Sequence, residues 1–167
     1  MASDHEAVIQ RLVDEVYNSG DFGQFEDFFT VDTVDHTPFP GQPAVMQAPG
    51  VDGVLATLKV WRSAFPDLRM TRHETTSDGD LVWWRWTATA THAGEIVGVP
   101  ATGETVEMHG LELARFREGK IAERWGYNNF AEMVLHLRVG RGASASGGGT
   151  EALGTLPGER AGGIGPG

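Results

Sequence analysis

The segment LVWWRWTATATH, residues 81–92, puts Val82, Trp84, Trp86, Ala88 and Ala90 at every second position, alternating with Trp83, Arg85, Thr87, Thr89 and Thr91. Side chains alternate across a strand, so this period describes a half-buried strand with one apolar face on a core. His92 continues the apolar row, whereas Trp83 interrupts the polar one. A large aromatic on an outer sheet face marks a subunit contact, and a homodimer through this face is expected.

The neighbouring segments LRMTRHETT, ETVEMHGLELARFR and KIAERWGYN also read as strands, set apart by the turn signals SDGD, AGEIVGVPATG and REGK. Upstream the period changes. In SDHEAVIQRLVDEVYNSG, Val8, Leu12 and Val16 recur at helical spacing, Ser3 and Glu6 form a capping box, and Gly20 ends the helix. DFGQFEDFF predicts a short second helix, VDTVDH a short strand running into a Pro/Gly loop, and GVDGVLATLKVWRSAF a third helix carrying Val54, Leu58, Trp61 and Phe65. Helices followed by a four-strand antiparallel run make an α+β layout, with the helices on one side of the sheet.

Composition limits the chemistry. At 167 residues with 40% hydrophobic content, the chain supports one core. The reading is a folded domain over residues 1–140 and a disordered Gly/Ala-rich tail over 141–167, whose composition offers little to offset the entropy of ordering. Truncation after Gly140 is expected to leave folding and activity intact. Zero cysteines exclude thiolate catalysis and disulfides, and the net charge of −10 argues against a nucleic-acid surface. There is no apolar run of membrane-spanning length and no basic start with an apolar core, so a cytoplasmic protein with no membrane partner is expected. No paired histidine spacing for a metal and no dinucleotide or Walker glycine motif occurs. A small-molecule partner, with neither metal nor cofactor, is the expectation.

The succession VDHTPFPGQP, WRSAFPDLRMT, SDGDLVWWRWTATATHAGEIVGVPATGETVEMHG and RFREGKIAERW resembles the SnoaL-like polyketide cyclases of the nuclear transport factor 2-like superfamily, over about residues 5–138. The resemblance implies a cone-shaped α+β barrel, its cavity enclosed between a curved sheet and the helices, in a dimer or tetramer. It further implies cofactor-free acid–base ring closure of polyketide-type substrates. Family members carry an Asp four residues after the hairpin tryptophan; here that position is Asn129, or Asn128 after a one-residue slip.

An amide does not exchange protons at neutral pH, although it donates hydrogen bonds. The acid–base role therefore passes, on this reading, to His109, His36 or His92, whose unperturbed pKa suits it. His36 matches the D-H position near the cavity mouth, or else anchors the loop. His92 matches the TH-x-G strand end, or else is structural. His109 lies mid-strand beside Gly110. Asn129 is expected to hold a substrate oxygen beside Trp125 and Tyr127, taken to share its face, with Asn129→Ala slowing turnover about 100-fold. Trp84, Trp86, Trp61 and Phe39 complete the expected lining. Glu123 shares the Trp125 face, or forms an ion pair with Arg115 or Arg85. Glu112, inside the run LEL, is either an outward residue or a costly buried acid, and exposure is expected. The functional expectation is a cyclase or isomerase. An epoxide hydrolase, a cofactor-independent hydroxylase or a binding protein on the same scaffold are the alternatives.

Overall fold

The computed structural model describes residues 4–37 and 44–145. Helix α1 (Asp4–Arg11) continues without a break into a π-helical stretch, Leu12–Asn18. Strand β1 (Phe29–Asp35), helix α2 (Val51–Ala64), strands β2 (Arg69–Asp78), β3 (Leu81–Thr91), β4 (Thr105–Arg117) and β5 (Lys120–Asn128), and helix α3 (Phe130–Ala145) follow. The expected second helix is only a 3-10 turn, Phe25–Asp27. A segment this short gains too few hydrogen bonds to propagate a helix, and Phe29 is already paired in β1 with Ile121.

The five strands form one open, mixed sheet in the order β1-β5-β4-β3-β2. The run β2 to β5 is antiparallel, while β1 adds to its edge parallel to β5. The three helices pack on one face, as the α+β layout requires. The inner row of β3 is buried as its alternation demands: Val82, Trp84, Trp86, Ala88 and Ala90 are each at most 5% exposed, and Trp83 on the other face is 49% exposed. Phe25, Phe28 and Phe65, together with Phe29 at the start of β1, complete the core. Each contributes on the order of 1.5–3 kcal/mol by leaving water.

A bulge in the β4–β5 hairpin decides which side chains of β5 meet the cavity. Phe116 pairs with Ile121, but the next pair is Arg115 with Glu123, so β5 spends one extra residue, Ala122. Ile121 and Ala122 are consequently both buried. An extra residue reverses the parity of everything after it. Ile121 faces inward, whereas Glu123, Trp125 and Tyr127 face outward, with Tyr127 73% exposed. Arg124, Gly126 and Asn128 take the inner face.

Helix α3 crosses residue 140 and runs to Ala145, so a cut after Gly140 removes part of that helix. The rest of the tail, like Phe39, lies outside the described residues. Among the described residues no helix is long and apolar enough to cross a membrane.

Candidate active site

The cavity lies between the inner sheet face and the helices, with a volume of about 130 Å³. Leu58, Trp61, Met70, Trp84, Trp86 and Met108 give it an apolar wall. Two glycines hollow the sheet beneath it. A Cβ on Gly110 would stand 2.8 Å from the Trp86 ring, and one on Gly126 would stand 2.8 Å from Glu112 Oε1. Gly110 thus admits the indole, and Gly126 leaves room for a carboxylate.

That carboxylate is the centre of the polar floor. Glu112 is paired on β3 with Trp84 and on β5 with Gly126, and it is 8% exposed. Its neighbour Arg124 donates from Nη2 to Glu112 Oε2 at 3.2 Å, lies 3.6 Å through Nε from Asp35 Oδ2, and reaches the Tyr17 hydroxyl at 3.5 Å. Asp35 arrives from β1, directly paired with Arg124, and Tyr17 from the π-helical stretch. Four elements thus converge on one guanidinium.

Burial raises the Glu112 pKa above the ordinary 4.5, Arg124 pulls it back, and Asp35 pushes it up again, leaving it raised. Burial likewise pushes Tyr17 up to about 12, which keeps its hydroxyl protonated. For Arg124, burial opposes the charge but the surrounding Glu112, Tyr17 and Asp35 outweigh it, so the guanidinium stays protonated. The arrangement holds a fixed cation beside a carboxyl group that can change charge. The Trp84 and Trp86 indole N–H groups are buried without a hydrogen-bond partner of ordinary geometry, although that of Trp86 is near enough to Glu112 to favour its ionised form.

The expected exposure of Glu112 is therefore corrected. Leu111 and Leu113 made the segment look uniformly apolar, but Val106, Met108, Ala114 and Phe116 share the parity of Glu112 and are all buried. The same parity puts His109 on the outer face, where it is exposed. His36 and Glu123 are also outside the cavity. The His36 ring stacks on Trp125 at 4.5 Å, its Nε2 lies 2.9 Å from Glu123 Oε2, and Arg115 completes the cluster at 3.4 Å from Glu123. His92 is fully buried but away from the cavity lining, with Nδ1 3.1 Å from Thr102 Oγ1 and a pKa lowered by burial. The backbone groups of His92 bond Glu104 and Gly103, so this residue closes the loop between β3 and β4.

The two amides divide the work. Asn128 lines the cavity, and its Oδ1 accepts from Phe130 N at 3.0 Å, which caps the start of α3. Asn129 turns toward β4 instead: its Oδ1 accepts from His109 N at 3.0 Å and its Nδ2 donates to Glu107 O at 3.3 Å. The face shared by Trp125, Tyr127 and Asn129 is thus not the cavity wall. Asn129→Ala should lower stability by about 1–2 kcal/mol through lost backbone bonds while leaving turnover within about 2-fold; thermal melts and initial rates on the same preparation check both halves. A 100-fold slower variant with wild-type melting would restore Asn129 to the site.

Comparison with known proteins gives the relatives of the chain as a whole. The SnoaL-like polyketide cyclase profile matches residues 7–137. No curated protein matches the sequence. Among solved structures, IdmH of Streptomyces antibioticus, a candidate polyketide cyclase, is 31% identical with a TM-score of 0.69, covering 81% of this chain and 99% of its own. AclR of Streptomyces galilaeus, a candidate hydroxylase, is 27% identical with a TM-score of 0.68, covering 81% and 96%. A candidate polyketide cyclase from Acidithiobacillus ferrooxidans is 26% identical with a TM-score of 0.70, covering 83% and 97%. With a matched profile spanning α2, the sheet and every residue of the Glu112–Arg124 floor, the chain belongs to the SnoaL-like polyketide cyclase family.

Proposed function

We propose that this protein is a cofactor-independent cyclase or isomerase of a polyketide-like carbonyl compound, with Glu112 as its general acid–base group. The observation that carries the reading is a buried carboxyl of raised pKa, facing an apolar cavity and held by one guanidinium. A general base works best when its pKa approaches the working pH, and burial moves Glu112 that way. In ring closure, ionised Glu112 takes a proton from a carbon next to a carbonyl. The C–H electron pair moves toward the carbonyl oxygen, the resulting enolate carbon attacks a second carbonyl of the folded chain, and the proton on Glu112 passes to the new alkoxide. Arg124 keeps Glu112 oriented and its charge balanced. The apolar wall excludes water and holds the chain in a reactive fold.

In this reading His109, His36 and Asn129 serve the outer surface, where Trp83, Leu111 and Tyr127 offer a contact for a second copy.

The pH profile tests the assignment. Because proton abstraction needs the ionised carboxylate, kcat/KM should fall tenfold per pH unit below the raised Glu112 pKa, and this limb should lie above the ordinary carboxylate value of 4.5. A flat profile from pH 4 to 8 would remove Glu112 from the chemistry. The likeness to AclR supports a hydroxylase as the second reading. Ring closure leaves ¹⁸O₂ and H₂¹⁸O unincorporated, whereas label from ¹⁸O₂ in the product would select the hydroxylase.

A further inference from the structure

Strand β5 ends at Asn128, the last residue of its inner face, paired across the sheet with Gly110. Asn128 lines the cavity and is exposed, so its side chain is within reach of a ligand. The amide has a fixed orientation: Oδ1 accepts from Phe130 N at 3.0 Å, and a flipped amide would set two donors against each other. Its Nδ2 hydrogens are then left with no hydrogen-bond partner among the described residues. Other donors on the lining are committed. Arg124 is divided among Glu112, Asp35 and Tyr17, and Thr57 Oγ1 donates to Gly53 O at 2.9 Å. Glu112 stands opposite Gly126, two residues before Asn128, so carboxyl and amide are diagonal neighbours on one sheet face. Such neighbours lie about 7–8 Å apart. A carbonyl oxygen and the C–H beside it can bridge that separation when both side chains reach toward them.

We infer that Asn128 Nδ2–H donates a hydrogen bond to the carbonyl oxygen of the substrate, and so selects ligands whose acceptor oxygen adjoins the carbon that Glu112 deprotonates. This rests on the cavity reading above and adds to it the oxygen's partner. As the C–H proton passes to Glu112 and its electron pair moves onto the oxygen, that oxygen becomes more negative and the N–H holds it more strongly. That is the direction in which a donor accelerates the step. An ionised carboxylate at the same place only accepts hydrogen bonds, and would repel the oxygen instead. Asn128 therefore has two separable duties: its oxygen starts α3, and its nitrogen holds the substrate.

The probe is acetophenone, whose single ring suits a cavity of about 130 Å³, with ethylbenzene as its oxygen-free counterpart. Wild-type protein should bind both, and the carbonyl stretch of bound acetophenone, isolated by a ¹³C label, should lie at lower frequency than in hexane. Asn128→Ser keeps a short oxygen for Phe130 N and withdraws the donor from the cavity. Asn128→Asp keeps the longer oxygen and puts an acceptor where the nitrogen was. Both variants should lose the frequency shift and bind acetophenone roughly 3- to 10-fold more weakly relative to ethylbenzene, with ethylbenzene affinity and melting temperature kept. If the Ser variant melts early, the Asp variant carries the comparison, because a carboxylate suits the start of a helix. A shift that persists in both variants gives the oxygen to a hydroxyl such as that of Tyr17 or Thr37, and overturns the inference while leaving the cavity reading standing. Wild-type binding of acetophenone without a shift does the same. Equal weakening for the two compounds makes Asn128 purely structural and also overturns it. Failure of wild-type protein to bind either compound overturns both readings.

Discussion

Glu112→Gln should reduce turnover by roughly 100- to 10,000-fold, the range typical of a lost general acid–base group. Glutamine keeps the shape of the side chain, fits the space beneath Gly126, and still accepts from Arg124 Nη2 through its amide oxygen. What it loses is the ability to exchange a proton. The same substitution should erase the acidic limb of the pH profile, because the titrating group is gone. Stability should change little, since a neutral side chain no longer suffers the burial that raises the Glu112 pKa, and Arg124 retains Asp35 at 3.6 Å. Single-turnover rates together with a thermal melt separate the two effects. Near-normal turnover would return the acid–base role to another group, and Tyr17 and Asp35 would be the next to substitute.

Arg124→Met should act on stability first. Removing one member of a buried ion pair typically costs about 3–5 kcal/mol, because the partner charge is left without compensation. Here two carboxylates, Glu112 and Asp35, lose the same cation, and their side chains are only 9% and 24% exposed. The pH dependence has a definite sign. The folded-state pKa of Glu112 is raised above its unfolded value, so its favourable contribution is complete below that unfolded value and is lost as pH rises through the folded one. Without Arg124 the folded pKa rises further, and the loss extends to higher pH. Urea denaturation should therefore show the variant closest to wild type near pH 4, where Glu112 is protonated in both states, with the gap widening toward neutrality. A gap that stays constant between pH 4 and 7.5 would show that lost packing of the arginine stem, not charge, is responsible.

These effects centre on Glu112, expected to be exposed, and on Arg124, which the sequence did not single out, for reasons specific to two strands. In β4 the inner parity was present in the letters: Val106, Met108, Ala114 and Phe116 alternate with Glu107, His109, Leu111 and Arg115. Extending that alternation puts Glu112 inside and His109 outside. Leu111 and Leu113 hid it, because both are apolar yet occupy the outer face, Leu111 at 54% exposure. In β5 no reading of alternation could succeed. The face of Trp125, Tyr127 and Asn129 was projected from Ile121, and the bulge at Ala122 breaks that projection. A bulge is a mismatch between two paired strands, so it is a property of the hairpin and has no reliable mark in either strand alone.

By itself, the sequence determined the elements that local period and turn chemistry control: the α+β order, α1 and α2, and the inner row of β3. It also carried the motifs whose order identifies the family. Tertiary structure alone decided the site. Strand β1 adds parallel to β5 and brings Asp35 to Arg124, the bulge turns Arg124 inward, Gly126 vacates the space that Glu112 fills, and the π-helical stretch delivers Tyr17. Each of these contacts joins residues far apart in the chain. Their charges and pKa shifts exist only once the fold has removed water from between them, because desolvation and ion pairing depend on who the neighbours are, not on who is adjacent in sequence.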